Sequence, residues 1–333
     1  MHKENINYEK LGFKCGLEIH QQLDTNKLFC RCPSILRKDE PEMQVSRKLH
    51  AVAGEGGNID VAAKHEAQLD KEFTYQTYDT TCLLELDEEP PHKINPESLK
   101  IAIQISLLLN CKIVPITQIM RKTVVDGSNT SGFQRTLLIA RGGHLKTKQG
   151  KVGIDYVYLE EDAARKVDEK EGKKVYRLDR LGIPLVEIVT SPDIKNAEQC
   201  KNVALQIGDI LRSCKVRRGL GTIRQDINVS ITNHPRAEIK GFQDPKIFEQ
   251  VIEKEVIRQQ KEVESGKKDL KPEVRGANPD ATTKYLRPLP GSARMYPETD
   301  LELLKISRQK INQAKKTLPK LRSDIKQEKK KQE

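Results

Sequence analysis

The stretch Tyr156-Val-Tyr-Leu-Glu-Glu-Asp162 and the segment Leu178-Asp-Arg-Leu-Gly-Ile-Pro-Leu-Val-Glu-Ile-Val-Thr-Ser-Pro-Asp193 decide how this sequence is interpreted. Aromatic and β-branched residues dominate both, and glycine and proline punctuate the second, so both are predicted to form β-strands. Alternate side chains of a strand share a face, which places Glu160 and Asp162 on one side and Glu161 on the other. Crowded acids repel unless a cation neutralises them, and oxygen ligands suit Mg²⁺. A solvated turn is the simpler interpretation of Glu-Glu-Asp taken alone.

The composition limits the class of protein. The chain has 333 residues, enough for one large domain or two ordinary ones. No apolar run approaches about 18 residues and the first residues are polar, so we expect no membrane span and no secretory signal. Seven cysteines are an odd number in a long chain, which favours a reducing compartment and a cytoplasmic protein. The net charge of +11 is compatible with a nucleic-acid partner and equally with a solvated lysine-rich surface.

Three other predicted strands carry side chains that could line a site. In each strand the polar residues alternate with apolar ones, so they share one face. A carboxylate beside an imidazole can bind a metal, act as an acid/base pair, or form a structural couple. A face that carries Arg, Asp, Asn and Ser favours a binding site over ordinary exposed sheet. The shared faces carry Glu18 and His20, then Arg224, Asp226, Asn228 and Ser230, then Glu238 and Lys240.

A polar segment from 120 to 135 is a candidate phosphate-binding loop. Arg121 and Lys122 precede a run of small hydroxyl and glycine residues that includes Ser128. Such a run offers backbone N–H groups and hydroxyls to phosphate, and the two cations could neutralise it. An ordinary polar turn between strands is the alternative. It is not a Walker motif, because neither Gly127 nor Gly132 is followed by Lys-Ser/Thr.

The pair Cys30-x-Cys32 could supply half of a zinc site. A closed zinc site needs four ligands, and no second pair follows at short spacing. Cys82, with Cys15 or His92, could complete the set only through tertiary contact. The incomplete spacing disfavours zinc.

Helix signals are clear at two places and weaker elsewhere. Asn95 before Pro96 predicts one helix start, and Asn196 with Gln199 at the third helical position predicts another. Asp244 and Pro245 open a further predicted helix that ends near residue 266. Residues 34 to 72 are predicted to be irregular, residues 166 to 174 to form a charged hairpin, and residues 301 to 333 to form a poorly packed, lysine-rich helical tail.

The order of six short motifs is more specific than any one of them. They are Gly-Leu-Glu-Ile-His20, Leu-Glu-Glu-Asp-Ala163, the segment ending at Asp193, Gly-Thr-Ile-Arg-Gln-Asp-Ile-Asn-Val-Ser230, Glu-Ile-Lys240 and Tyr-Pro-Glu-Thr-Asp300. Together, from about residue 11 to residue 300, they resemble the B/E subunit family of tRNA-dependent amidotransferases. Tyr-Asp-Thr-Thr-Cys82 and Arg-Pro-Leu-Pro-Gly-Ser-Ala-Arg-Met-Tyr296 resemble the archaeal E branch more than the bacterial B branch.

The resemblance implies an α/β (α+β) fold. We expect a cradle-shaped catalytic domain over residues 1–300, built on an antiparallel sheet with flanking helices, and the start of a helical region over residues 301–333. Two departures from the family are visible. The E-branch insertion similar to part of an aspartyl-tRNA synthetase is replaced by one helix and a linker, and the family's later helical and tail domains are missing. A fragment, a split gene and a reduced form that needs a separate chain all remain open.

The resemblance also implies an activity. ATP phosphorylates the side chain of glutamate misattached to tRNA(Gln). Ammonia, which an asparaginase-like or amidase-like partner releases from glutamine or asparagine, then displaces the phosphate. A B-type protein that also acts on Asp-tRNA(Asn), and a truncated non-catalytic docking or RNA-binding module, are the alternatives.

The same resemblance assigns roles to individual residues. Only one of Glu160 and Glu161 should reach the metal unless a bulge intervenes, because they point to opposite faces. The resemblance implies catalytic roles for Lys122, Glu160, Glu187 and Asp226, cofactor binding by Arg121, Ser128, Arg224 and Lys240, and Mg²⁺ ligation by Glu18, His20, Glu161 and Glu238.

Overall fold

Branched and aromatic residues at period two form most of the strands of this protein. The computed structural model describes residues 6–48, 72–170, 172–241, 247–289, 295–322 and 324–325. The strands in these ranges are β1 (Lys14–Gln22), β2 (Met43–Lys48), β3 (Glu72–Thr77), β4 (Lys112–Ile113), β5 (Ile116–Thr117), β6 (Ile119–Thr123), β7 (Phe133–Thr147), β8 (Gly150–Glu161), β9 (Arg165–Lys170), β10 (Lys173–Arg177), β11 (Pro184–Thr190), β12 (Ile223–Ser230), β13 (Ala237–Lys240), β14 (Glu273–Ala277), β15 (Thr283–Pro288), β16 (Met295–Pro297) and β17 (Leu304–Lys305). The helices are α1 (Pro96–Leu108), α2 (Ala197–Ser213), α3 (Phe248–Glu264) and α4 (Arg308–Lys316), with a 3₁₀ turn over Leu83–Leu86.

One eleven-stranded sheet organises the molecule. Its order is β15-β14-β13-β12-β1-β11-β8-β7-β6-β16, and β4 also pairs with β7. The neighbours run antiparallel except β13 and β14, which are parallel. Strand β1 lies between β12 and β11, so the first strand of the chain pairs with two strands that lie far along the sequence. The predicted mixed α/β fold on an antiparallel sheet is confirmed.

The two faces of this sheet have different roles. Leu17 and Ile19 of β1 are buried in the main core together with Val203 of α2 and Val251 of α3. Side chains at the alternate positions of β1 must therefore point away from the helices. The helices cover one face of the sheet and leave the other face available for a site.

A smaller sheet adjoins the large one. Its order is β2-β3-β10-β9, and β9 and β10 form the charged hairpin predicted from the sequence. The prediction that residues 34 to 72 are irregular is wrong for β2, which pairs antiparallel with β3. The sequence did not predict this strand because its residues are mostly polar and exposed. Residues 49–71, with the glycine-rich loop at 54–57, and residue 171 of the hairpin lie outside the described residues.

The helix starts follow their capping residues. Asn95 Oδ1 accepts hydrogen bonds from the backbone N–H groups of Glu97 and Ser98, and Asn196 Oδ1 accepts one from Gln199, at 2.8–3.2 Å. Both predicted starts are confirmed. The predicted Asp244-Pro245 start lies outside the described residues, and α3 begins at Phe248.

The region after residue 300 packs better than predicted. Strand β17 pairs with β5, and Ala314 of α4 is fully buried. Gln104 of α1 donates a hydrogen bond to the carbonyl of Thr317 at 2.6 Å. Among the described residues, none of the helices is long and apolar enough to cross a membrane.

Candidate active site

An open cavity of about 660 Å³ lies on the face of the large sheet that the helices leave free. Six neighbouring strands, from β13 to β7, supply its floor through alternate side chains, as the period-two pattern predicts. Strand β6 and the loop after it form a wall. The charged and hydroxyl side chains that line the cavity include Glu18, His20, Lys122, Ser128, Tyr158, Glu160, Asp162, Glu187, Arg224, Asp226, Arg236, Glu238, Lys240 and Arg287.

One group of ligand-type side chains, the His20 cluster, consists of His20, Glu160 and Glu187. The register of β1 and β11 sets His20 directly opposite Glu187, and Glu160 reaches in from β8. His20 Nε2 lies 3.6 Å from an oxygen of each carboxylate. Lys122 Nζ donates to Glu160 Oε2 at 2.8 Å and lies 3.6 Å from Glu187 Oε2. The two acids therefore lie between the imidazole of His20 and the ammonium of Lys122.

A second group, the Glu18 cluster, consists of Glu18, Asp226 and Glu238. Glu18 and Asp226 are direct cross-strand partners on β1 and β12, and Glu238 comes from β13. Lys240 Nζ lies 2.6 Å from Asp226 Oδ2 and 2.5 Å from Glu238 Oε1. Asn228 Nδ2 donates to Glu18 Oε1 at 2.8 Å. Lys240 therefore pairs with two of the three carboxylates, and Asn228 binds the third.

The environment shifts the pKa of several of these acids. Burial, reinforced by the charges of Glu238 and Glu187, raises the pKa of Glu18. Burial opposes ionisation of Glu160 and Glu238 as well, but Lys122 and Lys240 outweigh it, so the pKa values of both carboxyls lie below the ordinary value. Opposite charge is therefore what keeps these buried acids ionised.

Both clusters are fit to hold a divalent cation. In each, three ligand atoms lie within 4.8 Å of one another. The donors are carboxylate oxygens and one imidazole nitrogen, a set that hard ions such as Mg²⁺ accept. Like charges crowded at this distance are stabilised when a cation joins them.

Another acid of the cavity, Asp162, belongs to neither cluster and is bound by Arg224 and Gln22. Arg224 Nη2 donates to Asp162 Oδ1 at 2.9 Å, and Gln22 Nε2 donates to Asp162 Oδ2 at 2.6 Å. Burial alone would lower the pKa of Arg224. The neighbouring carboxylate of Asp162 outweighs burial, so the pKa of Arg224 is raised. Arg224 thus presents a fixed positive charge to the cavity.

The wall of the cavity includes the predicted phosphate-binding loop. The Ser128 backbone N–H and hydroxyl both donate to Asp126 Oδ1, at 2.9 and 2.6 Å. Tyr75 donates its hydroxyl hydrogen to the Gly127 carbonyl at 2.8 Å. The loop is therefore anchored to the smaller sheet while Ser128 faces the cavity.

With this geometry in view, sequence comparison defines the family. The profile described as "GatB/GatE catalytic domain" matches residues 13–312. The chain belongs to the GatB/GatE catalytic domain family. Relatives named as the E subunit of glutamyl-tRNA(Gln) amidotransferase are 58% identical over 257 residues in Methanocaldococcus jannaschii, 54% over 256 in Methanothermobacter thermautotrophicus and 53% over 257 in Archaeoglobus fulgidus. Each alignment covers 76% of this chain, which spans 41–42% of the length of these relatives.

Ten of the twelve site residues predicted for this GatB/GatE domain line the cavity, and two do not. Glu161 lies on the opposite face of β8, where Oε2 is 3.4 Å from Arg135 Nη1. Burial raises the pKa of Glu161, although Arg135 opposes the shift. The structure thus places Glu160, and not the predicted ligand Glu161, beside His20, because adjacent residues of a strand face opposite ways.

The other residue outside the cavity is Arg121. Its guanidinium donates to Glu298 Oε1 at 2.6 Å and to Asp300 Oδ2 at 3.1 Å. It also lies over the ring of Phe133, 4.6 Å from the centroid. Arg121 and Lys122 are neighbours on β6, so only Lys122 faces the cavity. Arg121, predicted to contact a cofactor, thus lies outside the cavity and contacts the 298–300 segment.

Two cations of the GatB/GatE cavity were missed from the sequence, Arg236 and Arg287. Arg236 precedes Glu238 by two residues, so the alternation that grouped Glu238 with Lys240 could have found it. Arg287 lies in the Arg-Pro-Leu-Pro motif, one of the motifs that carry the family resemblance.

The cysteines of this family member fall into separate places. Cys30 and Cys32 lie with Cys82 and Glu85, outside the cavity. Cys15, which was considered as a zinc ligand, has its sulfur 3.8 Å from that of Cys200. His92, the other candidate, lies 3.1 Å from Glu89.

Proposed function

We propose that this chain carries the kinase and transamidase centre of a glutamyl-tRNA(Gln) amidotransferase. An oxygen of the glutamate side chain on tRNA(Gln) attacks the γ-phosphorus of ATP, and ADP leaves. Ammonia then attacks the acyl carbon, the bond to the phosphate oxygen breaks, and the released phosphate and solvent take up the excess proton. The observation that carries the proposal is the gathering of two acidic clusters, each with its own lysine, in one cavity.

The side chains of the cavity suit this chemistry. Carboxylates react poorly with ammonia until one oxygen becomes a good leaving group, so phosphorylation must come first. Phosphoryl transfer depends chiefly on positioning and on positive charge around the transferred group. Lys122 and Lys240 supply that charge next to the acids, and Arg236 and Arg287 supply it elsewhere in the cavity lining. Ser128 presents a hydroxyl on the wall.

The acidic side chains of the cavity would bind metal ions. His20, Glu160 and Glu187 would hold one Mg²⁺, and Glu18, Asp226 and Glu238 a second. Such ions neutralise phosphate oxygens and orient the triphosphate. Lys122 and Lys240 fix the carboxylates of the two clusters, and Asn228 fixes Glu18.

The partners follow from the reaction. An asparaginase-like or amidase-like protein supplies ammonia, and tRNA(Gln) charged with glutamate is the second partner. The names of the relatives support the substrate, glutamate on tRNA(Gln). We expect the protein to act in the cytoplasm, where aminoacyl-tRNA is used.

Single-turnover assays test the proposal. The purified chain, with Glu-tRNA(Gln), ATP and Mg²⁺, is supplied with ammonium chloride or with its amide-donor partner, and ADP and labelled Gln-tRNA(Gln) are both measured. We expect product only when ATP and Mg²⁺ are present. Lys122→Met should lower the rate of ADP formation by about 10²–10³-fold, since it removes a charge next to the transferred group. Glu302→Gln, which changes an exposed acid, is the control.

The outcomes separate the alternatives. The proposal would be refuted if the chain bound its partner or tRNA but formed no ADP, both with ammonium chloride and with the amide-donor partner. That result would identify a non-catalytic docking module. Amidation of Asp-tRNA(Asn) at a comparable rate would identify the broader, B-type specificity.

A further inference from the structure

Three cysteines and one acid meet outside the catalytic cavity. Cys30 and Cys32 lie in the loop after β1, and Cys82 and Glu85 lie at the 3₁₀ turn about fifty residues later. Their ligand atoms all lie within 4.8 Å of one another. Cys30 Sγ is 3.4 Å from Glu85 Oε1, and Cys32 Sγ is 4.0 Å from Glu85 Oε2. All three cysteines are free thiols.

These spacings fit one tetrahedral ion. With Zn–S of about 2.3 Å and Zn–O of about 2.1 Å, ligand atoms of a tetrahedral site lie about 3.5–3.8 Å apart. Thiolate sulfur selects Zn²⁺ and other soft ions over Mg²⁺ and Ca²⁺.

We propose that Cys30, Cys32, Cys82 and Glu85 bind one Zn²⁺ in a closed structural site. Cys-x-Cys from one loop and Cys-x-x-Glu from a turn supply the four ligands that such a site requires. The site is distinct from both acidic clusters, because none of its members lines the catalytic cavity.

The surroundings match those of a structural zinc site. Lys27 is fully buried and donates from Nζ to Glu85 Oε1 at 2.6 Å and to the Leu178 carbonyl at 3.1 Å. The Cys82 backbone N–H donates to Glu85 Oε2 at 2.7 Å. Outer contacts of this kind orient a ligating carboxylate, and the ammonium offsets the negative charge of a thiolate-rich site.

The zinc site also supports the catalytic wall. Thr130 Oγ1 donates to the Glu85 carbonyl at 2.7 Å, and Thr130 belongs to the loop that carries Ser128. A metal that joins the loop after β1 to the 3₁₀ turn therefore fixes the base on which this loop rests.

Metal analysis of the full chain tests the proposal, independently of amidation. The wild type is purified without chelator, and zinc is measured by mass spectrometry against protein concentration. We expect about one zinc per chain, the stoichiometry of a single four-ligand site. Cys82→Ala should lose it, whereas Cys214→Ala, which truncates another buried cysteine that is not a member of the cluster, should keep it. Zinc retained in full by Cys82→Ala would overturn the proposal.

Cobalt substitution provides a second measurement, and its main result comes from the wild-type protein. Co²⁺ in the wild type should give an intense sulfur-to-cobalt charge-transfer band together with the visible bands of a tetrahedral site. Glu85→Gln should shift the visible bands and keep the sulfur band. A wild type that binds neither ion, or that has Cys82 in a disulfide by peptide mapping, would refute the site.

Discussion

Glu160 and Glu161 show how adjacent identical residues acquire different roles. Glu160 shares Lys122 with Glu187 in the cavity, whereas Glu161 is buried with Arg135 on the other face of β8. Period-two alternation was enough to predict that only one of them could reach the ion. It could not decide which one, because the sequence does not say which face of β8 the helices cover.

Paired variants distinguish the two glutamates. Glu160→Gln should weaken Mn²⁺ binding by tenfold or more, because the His20 cluster loses a charged ligand, and should also lower the melting temperature, because Lys122 loses a buried partner. Glu161→Gln should retain Mn²⁺ binding but lower the free energy of unfolding by about 1–3 kcal/mol, since Arg135 loses one of its two buried carboxylate partners and keeps only Glu298. Isothermal titration with Mn²⁺ and thermal denaturation provide the two measurements. Loss of Mn²⁺ binding in a folded Glu161→Gln protein would reverse the assignment.

At the scale of elements, the loop between β6 and β7 is shaped by Gly127. Its φ is +84°, and a Cβ at this position would lie 2.1 Å from Phe73 Cδ1. Gly127→Ala should therefore combine backbone strain with overpacking, at about 3 kcal/mol in total, and should weaken ATP binding by displacing Ser128. Gly142→Ala is the matched control, because Gly142 has φ +66° and open space around it. The control should lose about 1 kcal/mol and keep its ATP affinity, as measured by denaturation and nucleotide titration.

An ionic network ties the end of α3 to the loop between β12 and β13. Glu262 accepts hydrogen bonds from Lys267 at 2.6 Å and Arg258 at 2.8 Å, and its Oε2 lies 3.1 Å from His234 Nε2. Burial opposes ionisation, but the bonds from Lys267 and His234 and the charge of Arg258 lower the pKa of Glu262 to about 2. The pKa in the unfolded chain is about 4.3, so this group stabilises the fold above about pH 5 and loses that effect as the pH falls toward 2.

The lowered pKa of Glu262 predicts how the stability of the Glu262→Gln variant depends on pH. At pH 6 the variant should be less stable than the wild type by about 1 kcal/mol, a modest value because solvent screens part of the network. The difference should shrink steadily as the pH is lowered from 5 to 3. Melting curves of both proteins across this range measure it. A difference that grows toward low pH would contradict the assigned pKa shift.

Some helices of this protein could be predicted from the sequence, whereas one strand could not. Helices that start at Asn95 and Asn196 were found because capping is a local signal. Strand β2 was missed because its residues are mostly exposed and do not alternate in hydropathy. The meeting of Cys30 with Cys82 could not be derived either, since it depends on how the smaller sheet packs and on no spacing within either segment.

At the scale of the whole molecule, the cavity that holds the two acidic clusters is a product of sheet topology. The two acidic clusters take their members from β1, β8, β11, β12 and β13, which are separated by more than two hundred residues in sequence. The sequence predicts the face of each strand but not its neighbours, so ten cavity residues could be named while their division into two clusters could not. That division depends on the central position of β1, which sets Glu18 opposite Asp226 and His20 opposite Glu187.

Because both clusters join distant strands, metal binding should stabilise the entire fold. A ligand that binds only the folded state adds RT ln(1 + [L]/Kd) per site, about 2.7 kcal/mol at a hundredfold excess over Kd. Mn²⁺ should thus raise the melting temperature of the wild type by several degrees. His20→Ala and Glu238→Gln should each remove part of this rise, and the double variant should remove nearly all of it, because the variants affect separate clusters. If either single variant abolished the whole rise, the cavity would hold one ion shared by both clusters.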